Sequence, residues 1–231
     1  MRLRDIFLRE GARDAEHRRR AREMVQAILR ETERPPDDQG EDTAGPYVAW
    51  SLRGTGDELL ERAWFALQTE KGSPHAWYVQ NGQSEIITLS VPEASEGPRA
   101  SIKKHEDKVA HELIHLIDAH RHKDPSYAKA PSFDTPKVRA GDEEERQKYY
   151  NTPMEYNAHL QQALYSIEHG LQKMGVRNQA DAKRVLGVDD ASQFAKKLLG
   201  SKQMQEFTRM MSPETRRKVL KRLAQFWDEL V

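Results

Sequence analysis

His111-Glu112-Leu113-Ile114-His115 forms an HExxH sequence inside a stretch whose apolar residues recur at helical spacing. Residues i and i+4 lie on the same side of an α-helix, so both imidazoles can reach one metal ion. Glu112, beside the first histidine, is then placed to accept a proton from a water molecule at that ion. The pattern predicts a helix over about residues 103–122 that carries two ligands of a metal site.

The predicted helix has two faces. At 100° per residue, His115 and Asp118 fall within about 40° of His111 on a helical wheel. The apolar side chains fall on the opposite side: Val109, Ala110, Leu113, Leu116 and Ile117. Asp118 could accept the second ring N–H of a ligand histidine, or it could be an ordinary charged residue near the helix end. Without a metal, the histidines would be a solvated or hydrogen-bonded pair.

A catalytic zinc site needs a third protein ligand and one position left for water. The glycine and third histidine that extend HExxH in the metzincins are absent, because Asp118 and Arg121 stand in their places. We expect the ligand further along the chain, with Glu155 as the leading candidate. His159 lies one turn later on the same helix face and competes for the role. The remaining candidates are Asp134, His105 and Asp118.

Glu155 also has an explanation that needs no metal. Thr152-Pro153-Met154-Glu155 matches a helix capping box with proline at the first helical position. In that motif the glutamate reaches back to the backbone N–H of its own N-cap. A carboxylate bound to a metal is poorly placed to do so, and the sequence leaves both roles open.

The HExxH stretch and the downstream segment 151–158 together resemble the HExxH zincin metallopeptidases, in particular the gluzincin-like group. The resemblance covers roughly residues 75–170, and the asparagine-glutamate signature of the thermolysin group is not present as such. It implies a zinc-dependent endopeptidase that holds Zn²⁺ with His111, His115 and Glu155. Iron or manganese would also suit two histidines and a carboxylate.

The resemblance implies how catalysis would proceed. Zinc lowers the pKa of its bound water, Glu112 accepts the proton, and the same residue later gives it to the departing amine. A donor is usually needed for the charge that develops on the carbonyl oxygen. Tyr149, Tyr150 and Tyr156 lie close in sequence to Glu155, and we take Tyr150 as the catalytic candidate. Tyrosines in such a segment are also common packing residues.

In such families the motif helix follows a small sheet whose edge strand holds the substrate peptide in extended form. The β-branched stretch Ser84–Val91 fits such a strand. Residues 76–80 are expected to pair with it as a hairpin across Asn81-Gly82, which is a strong turn signal.

Composition excludes several classes of protein. Lys and Arg total 37 and Asp and Glu also total 37, and there is no cysteine, so disulfides and thiolate ligands to zinc are excluded. The N-terminus has no apolar signal region, and no stretch is long and apolar enough for a membrane helix. We therefore expect a cytoplasmic protein without a membrane partner. The zero net charge and the lack of a recognisable DNA-binding motif disfavour nucleic acid as a partner.

The predicted fold is α+β and predominantly α-helical, with a zincin-like core, a small β-sheet and a C-terminal helical subdomain. Residues 1–45 are expected to form an N-terminal helix (about 12–33) and a flexible linker, and residues 46–170 the core. Within the core, residues 57–69 are read as a helix. Residues 171–231 are expected to form the C-terminal subdomain, with helices at 180–186, 191–199, 203–210 and 213–230.

Three functions remain in competition. The first is a zinc metallopeptidase acting on a peptide or protein substrate. The second is a non-catalytic zincin-like component of a larger assembly, with the C-terminal helices as the surface for an assembly partner. Retention of Glu112 argues against it, since a scaffold needs the histidines for metal but not the base. The third, a nucleic-acid-binding helical module, is disfavoured by the net charge.

Overall fold

The computed structural model describes residues 3–42, 45–81, 84–92, 97–121, 142–209 and 211–230. They form an α+β fold that is predominantly helical, as the sequence predicts. The chain divides into two compact units: residues 18–123 form one, and residues 1–17 with 124–231 form the other. Among the described residues, no helix combines the length and the apolar character needed to cross a membrane.

The elements follow in chain order. The strands are β1 (Asp38–Glu41), β2 (Pro46–Ser51), β3 (Ala63–Thr69), β4 (His75–Asn81) and β5 (Ser84–Val91). A short 3₁₀ turn, Leu60–Arg62, precedes β3. The helices are α1 (Leu3–Glu31), α2 (Pro98–Lys104), α3 (Glu106–Arg121), α4 (Glu143–Tyr150), α5 (Pro153–Lys173), α6 (Gln179–Leu186), α7 (Ala191–Leu199), α8 (Lys202–Arg209) and α9 (Pro213–Asp228).

Residues 18–123 contain a mixed five-stranded sheet with the strand order β1-β2-β3-β5-β4. β3 and β5 run parallel, and the other neighbouring pairs are antiparallel. The predicted pairing of β4 with β5 is confirmed, with Asn81 opposite Ser84. The expectation that Ser84–Val91 is the edge strand is wrong: β5 lies between β3 and β4, and β4 forms that edge. The nearly continuous burial of β5 suits its interior position.

The expected helix at 57–69 is also wrong over most of its length. After the 3₁₀ turn, the chain extends as β3, whose alternate side chains Ala63, Phe65 and Leu67 are buried. The apolar residues of this stretch satisfy a helical period and a period of two equally well. Strands β2 and β5 pair with residues 63–69 on either side, so this segment is extended rather than helical. Its period of two then buries one face of the sheet.

The turn-rich segment after α1 is bound to the sheet. Arg34 forms ion pairs with Glu31 and Asp37, and its backbone oxygen accepts a 3.0 Å hydrogen bond from Trp50 Nε1. Residues 38–41 then pair with β2 as β1. These contacts hold the end of α1 against β2 by side-chain and backbone hydrogen bonds.

The C-terminal helices pack around their own apolar core, and their bounds agree with the predicted ones within two residues. The predicted N-cap Ser212 accepts a hydrogen bond from the backbone N–H of Thr215. Apolar side chains of α9 at helical spacing enter this core together with residues of α5 and α7, among them Leu164, Phe194, Val219, Leu223, Phe226 and Trp227.

Candidate metal centre

The HExxH sequence lies in the middle of α3, which is buried on all sides from Val109 to Asp118. The side chains of the expected apolar face are buried, and α3 packs against β4 and β5. The opposite face is buried as well, with His111 at 7% and His115 at 6% exposure. Polar groups removed from water need partners, so solvent does not account for these two histidines.

The two histidine rings meet at their Nε2 atoms at hydrogen-bond distance, so the hydrogen-bonded pair expected without a metal also fits this contact. His111 Nε2 and His115 Nε2 are 3.0 Å apart, and the rings stand nearly perpendicular at 81°. Two imidazole nitrogens bound tetrahedrally to one zinc at about 2.0–2.1 Å would be about 3.3 Å apart. The spacing in α3 is therefore within a few tenths of an ångström of what a shared ion requires.

Glu112 lies beside this pair in a buried environment. Its side chain is 9% exposed, and its Oε1 is 3.9 Å from His111 Nε2. A carboxylate at that distance from a ligand atom can reach a water molecule at the same ion without itself being a ligand.

Asp118 is fully buried at 0% exposure, one turn beyond His115. The alternative of an ordinary solvated charge near the helix end does not fit this burial. A carboxylate removed from water is stable only where hydrogen-bond donors or cations surround it. The burial argues against a solvated charge, and the role of Asp118 as an acceptor for a ligand histidine stays a prediction.

Glu155 lies in the first turn of α5 and is 6% exposed. The predicted capping box is not formed. The Thr152 hydroxyl and the Thr152 backbone N–H both donate to the carbonyl oxygen of Tyr149, at 2.9 and 3.1 Å. Since the N–H that Glu155 would have capped is already bonded, capping does not explain this buried carboxylate.

His111, His115 and Glu155 form a buried group that could hold a metal ion. Each offers one ligand atom, and these atoms all lie within 4.8 Å of one another. The other third-ligand candidates among the described residues, His159, His105 and Asp118, are not part of this group. Asp134 lies outside the described residues. Two imidazoles and a carboxylate fit Zn²⁺, and also iron or manganese, by donor chemistry.

His159 is a neighbour of Glu155. Its Nε2 is 3.8 Å from Glu155 Oε2, and its ring is packed among aromatic side chains, with centroid distances of 4.8 Å to Tyr150 and 6.3 Å to Phe207. His159 therefore lies between the Glu155 carboxylate and the rings of Tyr150 and Phe207.

The tyrosine candidates differ in their surroundings. Tyr149 is buried, and the ring of Tyr156 stacks on Phe207, so both have packing roles. Tyr150 ends α4 and is half-buried. Burial raises the pKa of its phenol above 10, the charge of Arg146 opposes that shift, and the charge of Glu155 adds to it. At neutral pH the phenol therefore keeps its proton and can donate a hydrogen bond.

The residue that joins α4 to the C-terminal helices belongs to no motif recognisable in the sequence. Asn151 caps α4, and its Oδ1 accepts hydrogen bonds from the Thr215 hydroxyl at 2.8 Å and the Ser212 backbone N–H at 3.4 Å. Its Nδ2 donates to the carbonyl oxygen of Gln147. The Ser-Pro start of α9 was visible in the sequence, but nothing there indicated its pairing with Asn151.

In comparisons with protein-family models, curated proteins and solved structures, none matches this chain.

Proposed function

We propose that this protein is a zinc-dependent metallopeptidase of the zincin type. The observation that carries the proposal is the buried group of His111, His115 and Glu155 with Glu112 next to it in sequence. Two imidazoles and a carboxylate are the ligand set of catalytic zinc sites that keep one position open for water. When bound, zinc lowers the pKa of a coordinated water and polarises the carbonyl of the peptide bond.

Glu112 is the general base in this proposal. Its carboxylate accepts a proton from the attacking water and then donates it to the departing amine. Burial at 9% side-chain exposure supports this role, since few waters compete for the carboxylate. A purely structural metal site would need the histidines but would gain nothing from this residue.

Tyr150 is the proposed donor to the carbonyl oxygen of the substrate. Its raised pKa keeps the phenol protonated, which is the form that can stabilise a developing oxyanion. The charge of Glu155 adds to the rise in the pKa of this phenol, which burial causes in the first place.

Strand β4 is the proposed binding edge for the substrate. Its one neighbour among the described strands is β5, so its outer backbone groups are available to an extended peptide. β4 also packs against α3, which carries the histidines. A bound peptide would therefore add to the sheet at the strand that contacts the helix of the metal ligands.

Metal analysis of the purified protein tests the proposal most directly. We expect about one zinc per wild-type chain, with marked loss in His115→Ala and Glu155→Ala. His169→Ala and Glu144→Ala are matched controls, because both residues are exposed. A wild-type protein that binds no metal when zinc is supplied would refute the proposal.

Hydrolysis is tested separately with a mixture of peptides from digested cell protein, analysed by mass spectrometry. The zinc-loaded wild type should generate new peptide termini, and Glu112→Gln should not. Stoichiometric zinc without any cleavage would instead favour the non-catalytic zincin-like component.

A further inference from the structure

The two edges of the five-stranded sheet differ in how well they are protected against pairing with another strand. β1 (Asp38–Glu41) is four residues long, is exposed throughout, and contains two carboxylates and a glycine. β4 (His75–Asn81) is seven residues long and contains no Asp, Glu, Lys, Arg, Pro or Gly. Edge strands are usually protected by charged side chains, by proline or by being very short. β4 lacks all three features, so it is the edge that is suited to receive a further strand.

The side chains of β4 point alternately to the two sides of the sheet. The Tyr78 hydroxyl donates to Oε1 of Glu85 at 3.4 Å, and His120 Nε2 of α3 lies 2.7 Å from the same oxygen. Tyr78 is therefore on the side of the sheet against which α3 packs. Since neighbouring residues of a strand face opposite ways, Trp77 and Val79 lie on the other side, away from α3.

On the side away from α3, apolar side chains form a row that runs across three strands to the edge. Trp64 of β3 is in register with Ile86 of β5, and Ile86 is opposite Val79 of β4. All three are at least partly exposed, and Val79 is 43% exposed. Residues in register on adjacent strands point to the same side of a sheet, so the row is continuous. It ends at Val79, where a further strand would extend it by one side chain.

Trp77 adds an aromatic surface two residues before Val79. Its ring stacks on that of His75, with the centroids 5.1 Å apart and the planes 24° apart. His75 Nδ1 is 3.1 Å from the carbonyl oxygen of Ser73, and its Nε2 is 3.6 Å from Glu70 Oε2. The indole is thus supported on one side, so that little side-chain freedom is lost when a ligand packs on it.

We propose that β4 binds an extended segment of a protein substrate in which two apolar residues are separated by one other residue. This inference rests on the proposed function, in which β4 is the binding edge for the substrate. In an added strand, the residue beside Val79 and the one beside Trp77 are two positions apart and point to the same side. Aliphatic or aromatic side chains at both positions would continue the apolar row and remove Trp77 and Val79 from water.

Fluorescence anisotropy on the full chain tests binding separately from hydrolysis. The probe is a fluorescein-labelled peptide of threonine and lysine that contains one phenylalanine and one valine two positions apart. The control peptide has the same composition, but its phenylalanine and valine are adjacent and would point to opposite sides of an added strand. EDTA is present in both titrations, so that a metal-dependent activity cannot consume the peptides.

The probe should bind about 10-fold more tightly than the control peptide, because only the probe can place both apolar side chains on one side. Trp77→Ala and Val79→Thr should weaken its affinity by about 10-fold and about 4-fold, since they remove an aromatic ring and one methyl group from the contact. Val185→Thr is the matched control, because Val185 is 41% exposed and lies in α6. Thermal unfolding verifies that each variant is folded.

Equal affinity for the two peptides, or an unchanged affinity in folded Trp77→Ala and Val79→Thr, would overturn the inference. A chain that sediments as a dimer, and as a monomer after Val79→Lys, would also overturn it, since a second copy would then occupy β4.

Adding zinc in place of EDTA separates this inference from the proposed function. Preferred binding of the probe without cleavage by the zinc-loaded wild type would support the inference and count against the peptidase. Cleavage of both peptides at equal rates would support the peptidase and overturn the inference.

Discussion

The Oδ1 of Asn151 accepts a 2.8 Å hydrogen bond from the hydroxyl of Thr215, which lies 64 residues later in the chain. Asn151 directly follows Tyr150 and precedes Glu155 by four residues. The bond therefore connects the start of α9 to the junction between α4 and α5, where a proposed donor and a proposed metal ligand both lie.

Thr215→Val removes the hydroxyl and keeps the shape of the side chain. We expect the free energy of unfolding to fall by about 1 kcal/mol, because Asn151 loses a partner. Zinc affinity should also fall if the junction positions Glu155. Urea unfolding and metal titration measure the two effects, and Thr215→Ser should restore both. Zinc affinity that is unaffected by Thr215→Val would limit this bond to a role in stability.

Glu112→Gln replaces the proposed base by an amide of nearly the same shape. The variant should retain zinc and fold, and its peptide hydrolysis should drop by about 10²–10⁴-fold. The measurement is kcat on a cleaved peptide together with the zinc content. Full activity in a folded, zinc-loaded variant would exclude Glu112 as the base.

Glu155 and His159 compete for the role of third ligand, and alanine variants separate them. Glu155→Ala should lower zinc affinity by more than the roughly 10- to 100-fold that loss of an outer partner costs. His159→Ala should lie within that range, since its Nε2 is 3.8 Å from the Glu155 carboxylate. Competition with a chelator of known affinity measures both, and the reverse order would reassign the ligand.

Tyr150→Phe tests the proposed oxyanion donor. Loss of one such donor typically reduces kcat by about 10²–10³-fold, while zinc content should not change. Tyr156→Phe is the control, since the ring of Tyr156 stacks on Phe207 and its packing is retained without the hydroxyl. Equal activity of Tyr150→Phe and the wild type would remove Tyr150 from the mechanism.

Asp37 provides a pH-dependent contribution to stability. Its carboxylate binds the Arg34 guanidinium at 2.6 and 2.8 Å and accepts a 2.7 Å bond from the Ser51 backbone N–H. These bonds, Arg34 first, lower the pKa of Asp37 below 3.8 in the folded state. Folding is therefore favoured above pH 3.8, and this contribution is lost as the pH falls through the lowered pKa.

Asp37→Asn should accordingly unfold at lower urea concentration than the wild type at pH 7. The difference should shrink as the pH falls below 3.8, because the carboxyl takes up a proton first in the unfolded chain and then, at its lowered pKa, in the folded one. Asp228→Asn, at an exposed position, serves as the control. A difference that is the same at pH 7 and at pH 3 would contradict the assignment.

The motif helix and the C-terminal helices could be predicted because their signals are local. Helical spacing of apolar residues indicates α3 and α9, and the Ser212-Pro213 pair marks the start of α9. The spacing of His111 and His115 by one turn is likewise a property of any α-helix. None of these features depends on distant parts of the chain.

Strand order and burial could not be obtained in this way. Residues 63–69 suit a helix as well as a strand, and only their neighbours β2 and β5 select β3. The edge of the sheet is also determined by its neighbours. Strand β5 pairs with β3 on one side and with β4 on the other, which leaves β4 at the edge. Pairing between strands is non-local, so a short-range pattern cannot specify it.

The metal centre combines both kinds of information. The sequence alone was enough to predict the histidine pair, and its resemblance to zincins named Glu155. The sequence did not show whether Glu155 binds a metal ion or caps its own helix. The tertiary structure argues against the cap, because the Tyr149 carbonyl oxygen occupies both donors of Thr152, and it groups Glu155 with two histidines in an arrangement that could hold a metal ion. Helix geometry determines which side chains share a face, whereas packing determines which of them are removed from water and need a partner.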